Sequence, residues 1–225
     1  MIVVTGATRG LGKAICERLL SSGVEVLGLA RDVAGVSFDS MKCDVSSYEE
    51  VKQVAQTLKR SGKKVSGLIN AAGIASMNLA VTTPPNVAEK IIKVNLLGTI
   101  YCCQLLSPMI FRHKSGSIIN FSTIAVALGL KGESIYVASK AGVEGFTRAF
   151  AREMADFNVN VNCIAPGPID TDLLKGVSPA QISKIVSQQI FQNQFTPDAV
   201  CDLVEMLLDS KAKGLSGQVL HVGGV

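Results

Sequence analysis

Several residue types are scarce in this 225-residue sequence, and each shortage excludes a class of protein. There is no tryptophan, and the two histidines, His113 and His221, are too few for a zinc site or a histidine-based catalytic triad to be assembled easily. Charged residues make up only 18% of the chain, and the lysines and arginines form no long basic block. With a net charge of +4, binding to nucleic acid has no compositional support.

Long apolar runs are also lacking. No run approaches the roughly 20 uninterrupted apolar residues that cross a bilayer, so we expect no membrane-spanning segment. Apolar residues are nevertheless 48% of the chain. That share excludes a disordered protein and is enough for the core of one α/β domain without disulfides.

The six cysteines form no CxxC pair, and most lie inside apolar runs, where a thiol behaves as a small hydrophobic group. The sequence starts with an apolar run and a glycine loop, without the basic segment of a secretory signal. We therefore expect a reduced, cytoplasmic protein, and a targeting peptide removed beforehand stays open. The cysteines are Cys16, Cys43, Cys102, Cys103, Cys163 and Cys201.

Short apolar runs alternate with helix-periodic segments along the whole chain. The predicted strands are 1–4, 24–30, 65–70, 117–121, 160–164 and 218–222. The predicted helices are 11–20, 47–58, a long one entered at 84–85, 136–157, 181–189 and 198–208. This order indicates βαβ units. We expect an α/β fold, a single doubly wound Rossmann-type domain over residues 1–225, whose mostly parallel sheet of about seven strands has helices on both faces.

A glycine-rich segment follows the first predicted strand and leads directly into a helix. Glycines there allow a tight turn and let the backbone approach a pyrophosphate at the positive end of the helix. A glycine turn without a ligand is the alternative, but the strand–loop–helix context favours nucleotide binding. The predicted cofactor contacts in this loop are Gly6, Thr8, Arg9, Gly10, Leu11 and Gly12.

Four more motifs follow in order along the chain. Residues 70–73 read Asn-Ala-Ala-Gly and residues 120–123 read Asn-Phe-Ser-Thr. Tyr136 then precedes Lys140 by four residues, and the segment 166–171 begins with Pro-Gly. With the loop spacing G-x-x-x-G-x-G, they make the chain resemble the short-chain dehydrogenase/reductase family over essentially its whole length. The resemblance implies hydride transfer between a nicotinamide cofactor and a carbonyl or alcohol.

The end of the second predicted strand bears on the choice of cofactor. It reads Ala30, Arg31, Asp32, so position 30 offers no carboxylate to repel a 2′-phosphate. Arg31 and Arg9 are suited to clamp that phosphate. Alternatively, Arg31 is simply solvated and Asp32 supplies the carboxylate. Charge complementarity favours NADPH, with NADH possible.

The resemblance implies further cofactor contacts. Asp44 and Val45 would border the adenine, and the turn with Asn70, Ala71 and Gly73 would line the groove. Tyr136 and Lys140 would reach the nicotinamide ribose. The segment with Pro166, Gly167, Ile169 and Thr171 would hold the nicotinamide carboxamide.

Tyr136 and Lys140 are expected on one face of a helix because they are four residues apart. A lysine ammonium and an oxidised nicotinamide nearby would lower the pKa of the tyrosine from its usual ~10. An amphipathic surface pair has the same spacing. The position of the pair after a hydroxyl-rich strand end favours catalysis.

Ser122 and Thr123 compete for the role of the hydroxyl that binds the substrate carbonyl. In the family pattern this hydroxyl lies 13 residues before the tyrosine with a glycine between, which selects Thr123, with Gly129 as the glycine. Asn95 matches the family asparagine that bends its helix and holds a water of the proton relay to the lysine. The alternative for Asn95 is a buried, satisfied side chain.

The resemblance implies a 3-oxoacyl thioester, on acyl carrier protein or coenzyme A, as substrate, because 70–79, 170–192 and 215–224 look like the 3-oxoacyl-[acyl-carrier-protein] reductases. Segment 173–194 would be the substrate lid, and Gly223 stands where the family often has Asp or Asn. An acidic carrier would need basic residues near the entrance. The candidates are Arg112, His113, Lys114 and Lys131.

A homotetramer is expected by resemblance, packed through the helices that begin near Thr83 and Tyr136. Two alternatives stay open. The substrate is another ketone or secondary alcohol without a carrier protein, or the chain is a non-catalytic NADPH-binding subunit or regulator.

Overall fold

The computed structural model of the protein describes residues 1–171, 174 and 177–225. The strands are β1 (Ile2–Thr5), β2 (Val26–Ala30), β3 (Ser40–Lys42), β4 (Gly67–Asn70), β5 (Gly116–Phe121), β6 (Val159–Pro166) and β7 (Val219–Val222). The α-helices are α1 (Gly10–Ser21), α2 (Tyr48–Ser61), α3 (Pro85–Ile92), α4 (Gly98–Phe111), α5 (Ala125–Leu128), α6 (Ser134–Ala155), α7 (Pro179–Val186) and α8 (Pro197–Leu208).

All seven strands pair in parallel, in the order β3-β2-β1-β4-β5-β6-β7. The direction of strand progression reverses at β1, between β2 and β4. In an open parallel sheet, ligands bind outside the carboxyl ends of the strands at such a switch point. The predicted doubly wound architecture is confirmed, and it places the glycine loop after β1 at that crevice.

Each face of the sheet is covered by its own apolar layer. One layer packs α2, α4 and α6 on the sheet, with Val54, Leu106 and Phe150 among its buried residues. The other packs α1 and α8, with Ile15 and Val204 in its centre. Helices therefore lie on both faces, as predicted.

The strand that sequence patterning missed is β3, at the edge of the sheet. Its three residues read Ser, Met, Lys and are half-buried or exposed, so they form no apolar run. The pairing of Gly28 with Ser40 and of Ala30 with Lys42 defines the strand. An edge strand of this kind is defined by its neighbour rather than by its own composition.

Helix α2 begins within one residue of its predicted start, and Ser47 is its N-cap. The Ser47 hydroxyl accepts a hydrogen bond from the Glu50 amide at 3.3 Å. The Glu50 carboxylate, however, accepts from the Asp44 amide at 2.9 Å. This bond ties the start of α2 to the loop that follows β3.

The helical run Pro85–Phe111 is long and apolar enough, by length and composition, to cross a membrane, although half of its most apolar stretch is buried inside the protein. Its buried residues include Ile91, Cys103 and Ile110, and the latter two belong to the apolar layer under α2, α4 and α6, as in a core helix. All six cysteines are buried and unpaired, as expected. Burial raises the pKa of the Cys43 thiol to about 12, which keeps it in its unreactive form.

Candidate active site

The glycine loop lies at the carboxyl end of β1, packed tightly on the turn after β4. A Cβ atom on Gly6 would lie 2.8 Å from Cα of Ala72, and Gly6 has a φ of +67°. A Cβ on Gly12 would lie 2.3 Å from the Gly6 carbonyl oxygen. The Ala72 amide donates to the Thr5 hydroxyl at 3.0 Å and fastens the two segments together. Only glycine fits these two positions.

The amino terminus of α1 is built to receive an anion. Its N-cap, Arg9, makes no side-chain capping bond, and the first turn holds no acidic residue. Free amides and the positive end of the helix dipole therefore face the crevice. A Cβ on Gly10 would lie 3.7 Å from Cβ of Thr171, so the loop after β6 closes the other side of this groove. These residues fit the pyrophosphate of a dinucleotide.

Arg31 follows β2 directly, and both Arg31 and Arg9 are exposed. Within the described ranges neither guanidinium takes part in an ion pair or a side-chain hydrogen bond. Asp32 accepts from the Ala34 amide at 3.1 Å, so one of its oxygens is used inside its own turn. Arg9 and Arg31 therefore supply two positive charges against the single carboxylate of Asp32.

Asp44 and Val45 form the wall of the groove next to β3. Oδ1 of Asp44 accepts from the amide of Ser46 at 2.9 Å and from its hydroxyl at 2.7 Å. Val45 is buried. The turn thus presents a fixed apolar residue beside a carboxylate with one oxygen engaged, which fits a contact with an adenine base.

The Asn70 side chain lies inside the sheet. Its Nδ2 donates to Oδ1 of Asn120 at 2.8 Å and to Sγ of Cys103 at 3.3 Å. Any contact of Asn70 with a cofactor would therefore come from its backbone. Ala71 and Gly73 are half-buried at the edge of the groove.

Tyr136 and Lys140 lie on one face of α6, as predicted, and both side chains are buried. The Lys140 ammonium donates to the Phe121 carbonyl at 2.9 Å. A Cβ on Gly73 would lie 3.4 Å both from Nζ of Lys140 and from Oδ1 of Asn95. The structure therefore brings the β4 turn, the end of β5 and helix α6 together at one point.

The pKa values of Tyr136 and Lys140 are set mainly by burial in the protein without cofactor. Burial lowers the pKa of Lys140 to about 8. Burial, followed by the charge of Glu133, raises the pKa of Tyr136 above its usual value, and the hydrogen bond with Thr123 opposes this rise. The expected lowering of the Tyr136 pKa by Lys140 together with an oxidised nicotinamide stays a prediction. The raised pKa keeps the phenol protonated, and a cation placed beside it would make it a more effective acid.

The two candidate hydroxyls at the end of β5 have different partners. The Ser122 hydroxyl donates to Oε1 of Glu144 at 2.7 Å, and Arg148 pairs with the other oxygen of that carboxylate at 3.2 Å. The Thr123 hydroxyl accepts from the Ala125 amide at 3.2 Å, and its proximity to the Tyr136 phenol opposes the rise in the pKa of that phenol. The structure thus brings Thr123 to Tyr136 and engages Ser122 elsewhere.

Asn95 lies in a π-helical turn, Lys93–Leu97, between α3 and α4. Its Oδ1 accepts from the Ile74 amide at 2.8 Å, and its Nδ2 donates to the Ile74 carbonyl and to the Ser139 hydroxyl. The expected local distortion of the helix is present, and the side chain is also buried and satisfied. The relay water stays a prediction.

The loop after β6 carries the remaining predicted cofactor residues. Gly167 donates its amide to the Val222 carbonyl at 3.1 Å, and Ile169 forms a β-bridge with Phe195. The Thr171 hydroxyl donates to the Ile169 carbonyl at 3.4 Å. Pro166, the last residue of β6, is buried, and its carbonyl accepts from the Ile124 amide at 3.0 Å.

Among the described residues of the predicted lid, 174 and 177–194, several line a cleft together with this loop. Positions 172, 173, 175 and 176 are outside the described residues. A cleft of about 600 Å³ opens between the loop and α7. Its lining includes Asp170, Thr171, Leu174, Ile182 and Gln194.

Three of the four basic residues proposed for carrier docking lie at the amino ends of the strands, opposite the carboxyl ends that carry the candidate site. Arg112, His113 and Lys114 connect α4 to the amino end of β5, whereas Ser122 and Thr123 follow its carboxyl end. That prediction is wrong for these three. Lys131 precedes α6 and lies at the carboxyl ends of the strands, where the candidate site is.

Three polar residues near the site were missed by sequence reasoning. Glu133 is buried three residues before Tyr136, a helical spacing that could have indicated it. Glu144 follows Lys140 by four residues on the same helix, which is a second helical signal. Gln189 is buried in the lid, and nothing in its local sequence indicates this.

Comparison with known proteins agrees with this geometry. A family model described as enoyl-(acyl carrier protein) reductase matches residues 6–224. The chain is 34% identical to the 3-oxoacyl-[acyl-carrier-protein] reductase of Staphylococcus epidermidis, over 99% of this chain and 96% of that protein.

Solved structures give the same result. The chain is similar to ligand-free aldohexose dehydrogenase of Thermoplasma acidophilum, with a TM-score of 0.90 and 31% identity, over 99% and 92% of the two chains. It is also similar to ElxO with NADP bound, with a TM-score of 0.89 and 25% identity, over 98% and 96%. The chain belongs to the short-chain dehydrogenase/reductase family of NAD(P)-binding oxidoreductases.

Proposed function

We propose that this protein reduces a ketone to a secondary alcohol with NADPH, and that its substrate is a 3-oxoacyl thioester of acyl carrier protein or coenzyme A. The observation that carries the proposal is the buried cluster of Tyr136, Lys140 and Asn95, in which Lys140 donates to the Phe121 carbonyl next to the hydroxyls that follow β5. A carbonyl oxygen gains negative charge as hydride is added to its carbon. It is then stabilised by nearby hydrogen-bond donors, here a hydroxyl and a phenol, and by a cation.

Each residue of this cluster has a separate role in the proposed reduction. Thr123 and Tyr136 hold the carbonyl oxygen by hydrogen bonds, and NADPH, when bound, supplies the hydride to the carbonyl carbon. Tyr136 gives its proton to the oxygen, which completes the alcohol. Lys140 stabilises the phenolate left on Tyr136, and a water held near Asn95 links Lys140 to solvent for reprotonation.

The preference for NADPH rests on charge. Arg31 and Arg9 are exposed at the adenosine end of the groove, with no carboxylate at position 30. A guanidinium pairs well with a 2′-phosphate, and NADH lacks that group. ElxO, which is 25% identical, has been solved with NADP bound.

The acyl-thioester substrate rests on similarity to a 34% identical relative named for that activity. The cleft beside α7 is lined by Leu174 and Ile182 as well as polar groups, which suits a short acyl chain next to a polar thioester. Lys131 is the basic residue at this end of the strands that we propose for contact with an acidic carrier protein.

A second candidate is oxidoreduction of a polyhydroxylated substrate without a carrier protein. Its support is the 31% identity to aldohexose dehydrogenase. Glu133 adds to it, because this buried carboxylate acts electrostatically on Tyr136 and could accept hydrogen bonds from substrate hydroxyls. A non-catalytic role is disfavoured because Tyr136, Lys140 and Asn95 all meet at one site.

We further propose that residues 1–225 act as one catalytic unit, in the cytoplasm, as a homotetramer. Small exposed residues lie along α6 and would let a second helix approach closely. They are Ala138, Ala141, Gly145 and Ala149. Unpaired cysteines are compatible with a reducing compartment.

The test follows NADPH oxidation by wild-type protein and by Tyr136→Phe. The substrates are acetoacetyl thioesters of acyl carrier protein and of coenzyme A, a crotonyl thioester and a panel of sugar ketones. Aldoses are tested separately by following NADP⁺ reduction, because their oxidation transfers hydride in the opposite direction. Turnover of the acetoacetyl thioesters that Tyr136→Phe abolishes supports the proposal. Turnover restricted to sugars selects the second candidate, and turnover of crotonyl thioester alone means reduction of a C=C bond instead.

A further inference from the structure

Gln189 is a buried polar residue in a segment that is otherwise largely exposed. It follows α7 and is only 4% exposed, whereas the next residue, Ile190, is 69% exposed. Gln188, on its other side, is exposed, and its side chain donates to the Lys184 carbonyl in the last turn of α7. A glutamine is buried only where specific contacts replace its hydration.

The Gln189 carboxamide lies between two glycines from distant parts of the chain. A Cβ on Gly167 would lie 1.9 Å from Oε1 of Gln189, and a Cβ on Gly223 would lie 2.5 Å from it. The space that side chains would take at these two positions is filled by the carboxamide. This explains the glycine at position 223, where the family often has Asp or Asn.

The orientation of the carboxamide is fixed by its two donor bonds. Nε2 donates to the Asn193 carbonyl at 3.0 Å and to the Phe191 carbonyl at 3.4 Å. Oε1 therefore faces the glycines, where it is buried and has no hydrogen-bond partner in the described part of the chain. Contacts with the Cα–H groups of the glycines are the polar interactions open to it there.

The end of the lid is joined to the same two segments by the backbone. The Phe191 amide donates to the Gly223 carbonyl at 3.0 Å. Phe195 forms the β-bridge with Ile169, two residues beyond Gly167. The carboxamide thus lies between the lid on one side and the loop after β6 on the other.

We propose that Gln189 is a positioning residue that sets the loop Gly167–Thr171 relative to the substrate lid. This proposal rests on the proposed function, since that loop is the one expected to hold the nicotinamide. Gln189 touches neither substrate nor reacting atoms. It couples the position of the lid to the position of the loop, so that a displaced lid also displaces the nicotinamide end of the site and leaves the adenosine end unchanged.

The first experiment compares Gln189→Met with Gln188→Met. Methionine keeps the length of the side chain and loses both hydrogen bonds, and position 188 is the matched exposed control. We expect Gln189→Met to lower kcat/KM for the ketone about 10-fold, because a small misplacement of the reacting groups slows the reaction strongly. The dissociation constant for NADPH, measured by fluorescence, should stay within about 3-fold, since the adenosine end supplies most of the charged contacts.

The same variants are compared by hydrogen exchange without any ligand. The backbone amides of 167–171 should exchange faster in Gln189→Met than in wild type and in Gln188→Met. Unchanged exchange would overturn the inference. This readout needs no turnover, so a protein that proves inactive on every ketone would refute the proposed function without refuting the role of Gln189.

The second experiment is a double-mutant cycle on thermal stability. Gly167 does not have a positive φ, so the steric effect of Gly167→Ala comes from its new Cβ, which contacts Gln189 and Ile124. Gly167→Ala should lower the melting temperature by about 5 °C with glutamine at position 189. It should lower it much less in a Gln189→Ala background, where the carboxamide is absent. Equal losses in both backgrounds would show that the carboxamide does not lie between the two segments.

Discussion

The Ser122 hydroxyl donates a 2.7 Å hydrogen bond to the Glu144 carboxylate and is thereby kept from Tyr136. The hydroxyl of the neighbouring residue, Thr123, makes no hydrogen bond to this carboxylate and lies near the Tyr136 phenol, whose pKa it lowers. Two adjacent hydroxyls follow β5. The Ser122 hydroxyl is therefore held by Glu144 of α6, and the Thr123 hydroxyl is the one available to bind a substrate carbonyl.

This division predicts opposite effects for two conservative substitutions. Thr123→Val keeps the shape and removes the hydroxyl, and should lower kcat about 10²–10³-fold, as loss of a donor to a developing oxyanion does. Ser122→Ala should keep kcat near wild type and lower the free energy of unfolding by about 1–3 kcal/mol, because Glu144 loses a buried hydrogen bond. Steady-state kinetics and urea denaturation measure the two quantities. Full activity in Thr123→Val together with inactivity in Ser122→Ala would reverse the assignment.

The lowered pKa of Lys140 predicts a pH limit for the reduction. The ammonium is present below a pKa of about 8 and is lost above it, whereas the Tyr136 phenol, whose pKa is raised, stays protonated across this range. The rate of reduction should therefore fall as the pH rises through about 8. A pH profile of kcat measures this limit.

The control for that profile is Lys140→Arg, because a guanidinium does not lose its proton in the accessible range. Its activity will be lower, but the alkaline fall should disappear. An identical fall in both proteins would assign the limit to another group.

Arg31 is predicted to discriminate between the two nicotinamide cofactors. Arg31→Ala should raise the dissociation constant for NADPH about 10- to 100-fold, the usual value of a charged hydrogen bond to phosphate, and leave that for NADH nearly unchanged. Arg60→Ala, an exposed arginine at the end of α2, is the matched control. Equal affinity of wild-type protein for NADPH and NADH would refute the preference.

Lys131 and Arg112 are predicted to differ in their effect on a carrier-bound substrate, because they lie at opposite ends of the strands. Lys131→Glu should raise KM for an acetoacetyl group on acyl carrier protein about 3- to 10-fold through charge repulsion, and Arg112→Glu should not. An acetoacetyl thioester of a small neutral thiol serves as the control substrate, and its KM should be the same in both variants. An unchanged KM for the carrier-bound substrate in Lys131→Glu would refute the proposed contact between Lys131 and the carrier protein.

Local patterns in the sequence were sufficient for most of the architecture. The alternation of apolar runs with helix-periodic segments specified the βαβ order, and four-residue spacing placed Tyr136 and Lys140 on one face of α6. The placement of Arg112 away from the candidate site could also have been predicted. It lies in the connection from α4 to β5, and therefore at the amino end of that strand, whereas the site lies at the carboxyl end. The edge strand β3 could not have been predicted, because its three residues take their conformation from β2.

What the sequence by itself determined is therefore the order of the elements, the glycine loop at the switch point and the Tyr136–Lys140 pair, because each depends on residues close together in the chain. The tertiary structure alone decided which hydroxyl meets Tyr136, since Ser122 is drawn away by Glu144, 22 residues further on. It also decided the direction of the Tyr136 and Lys140 pKa shifts, because burial depends on elements packed from several parts of the fold. The same holds for Gln189, whose contacts with Gly167 and Gly223 join three segments that only the folded chain brings together.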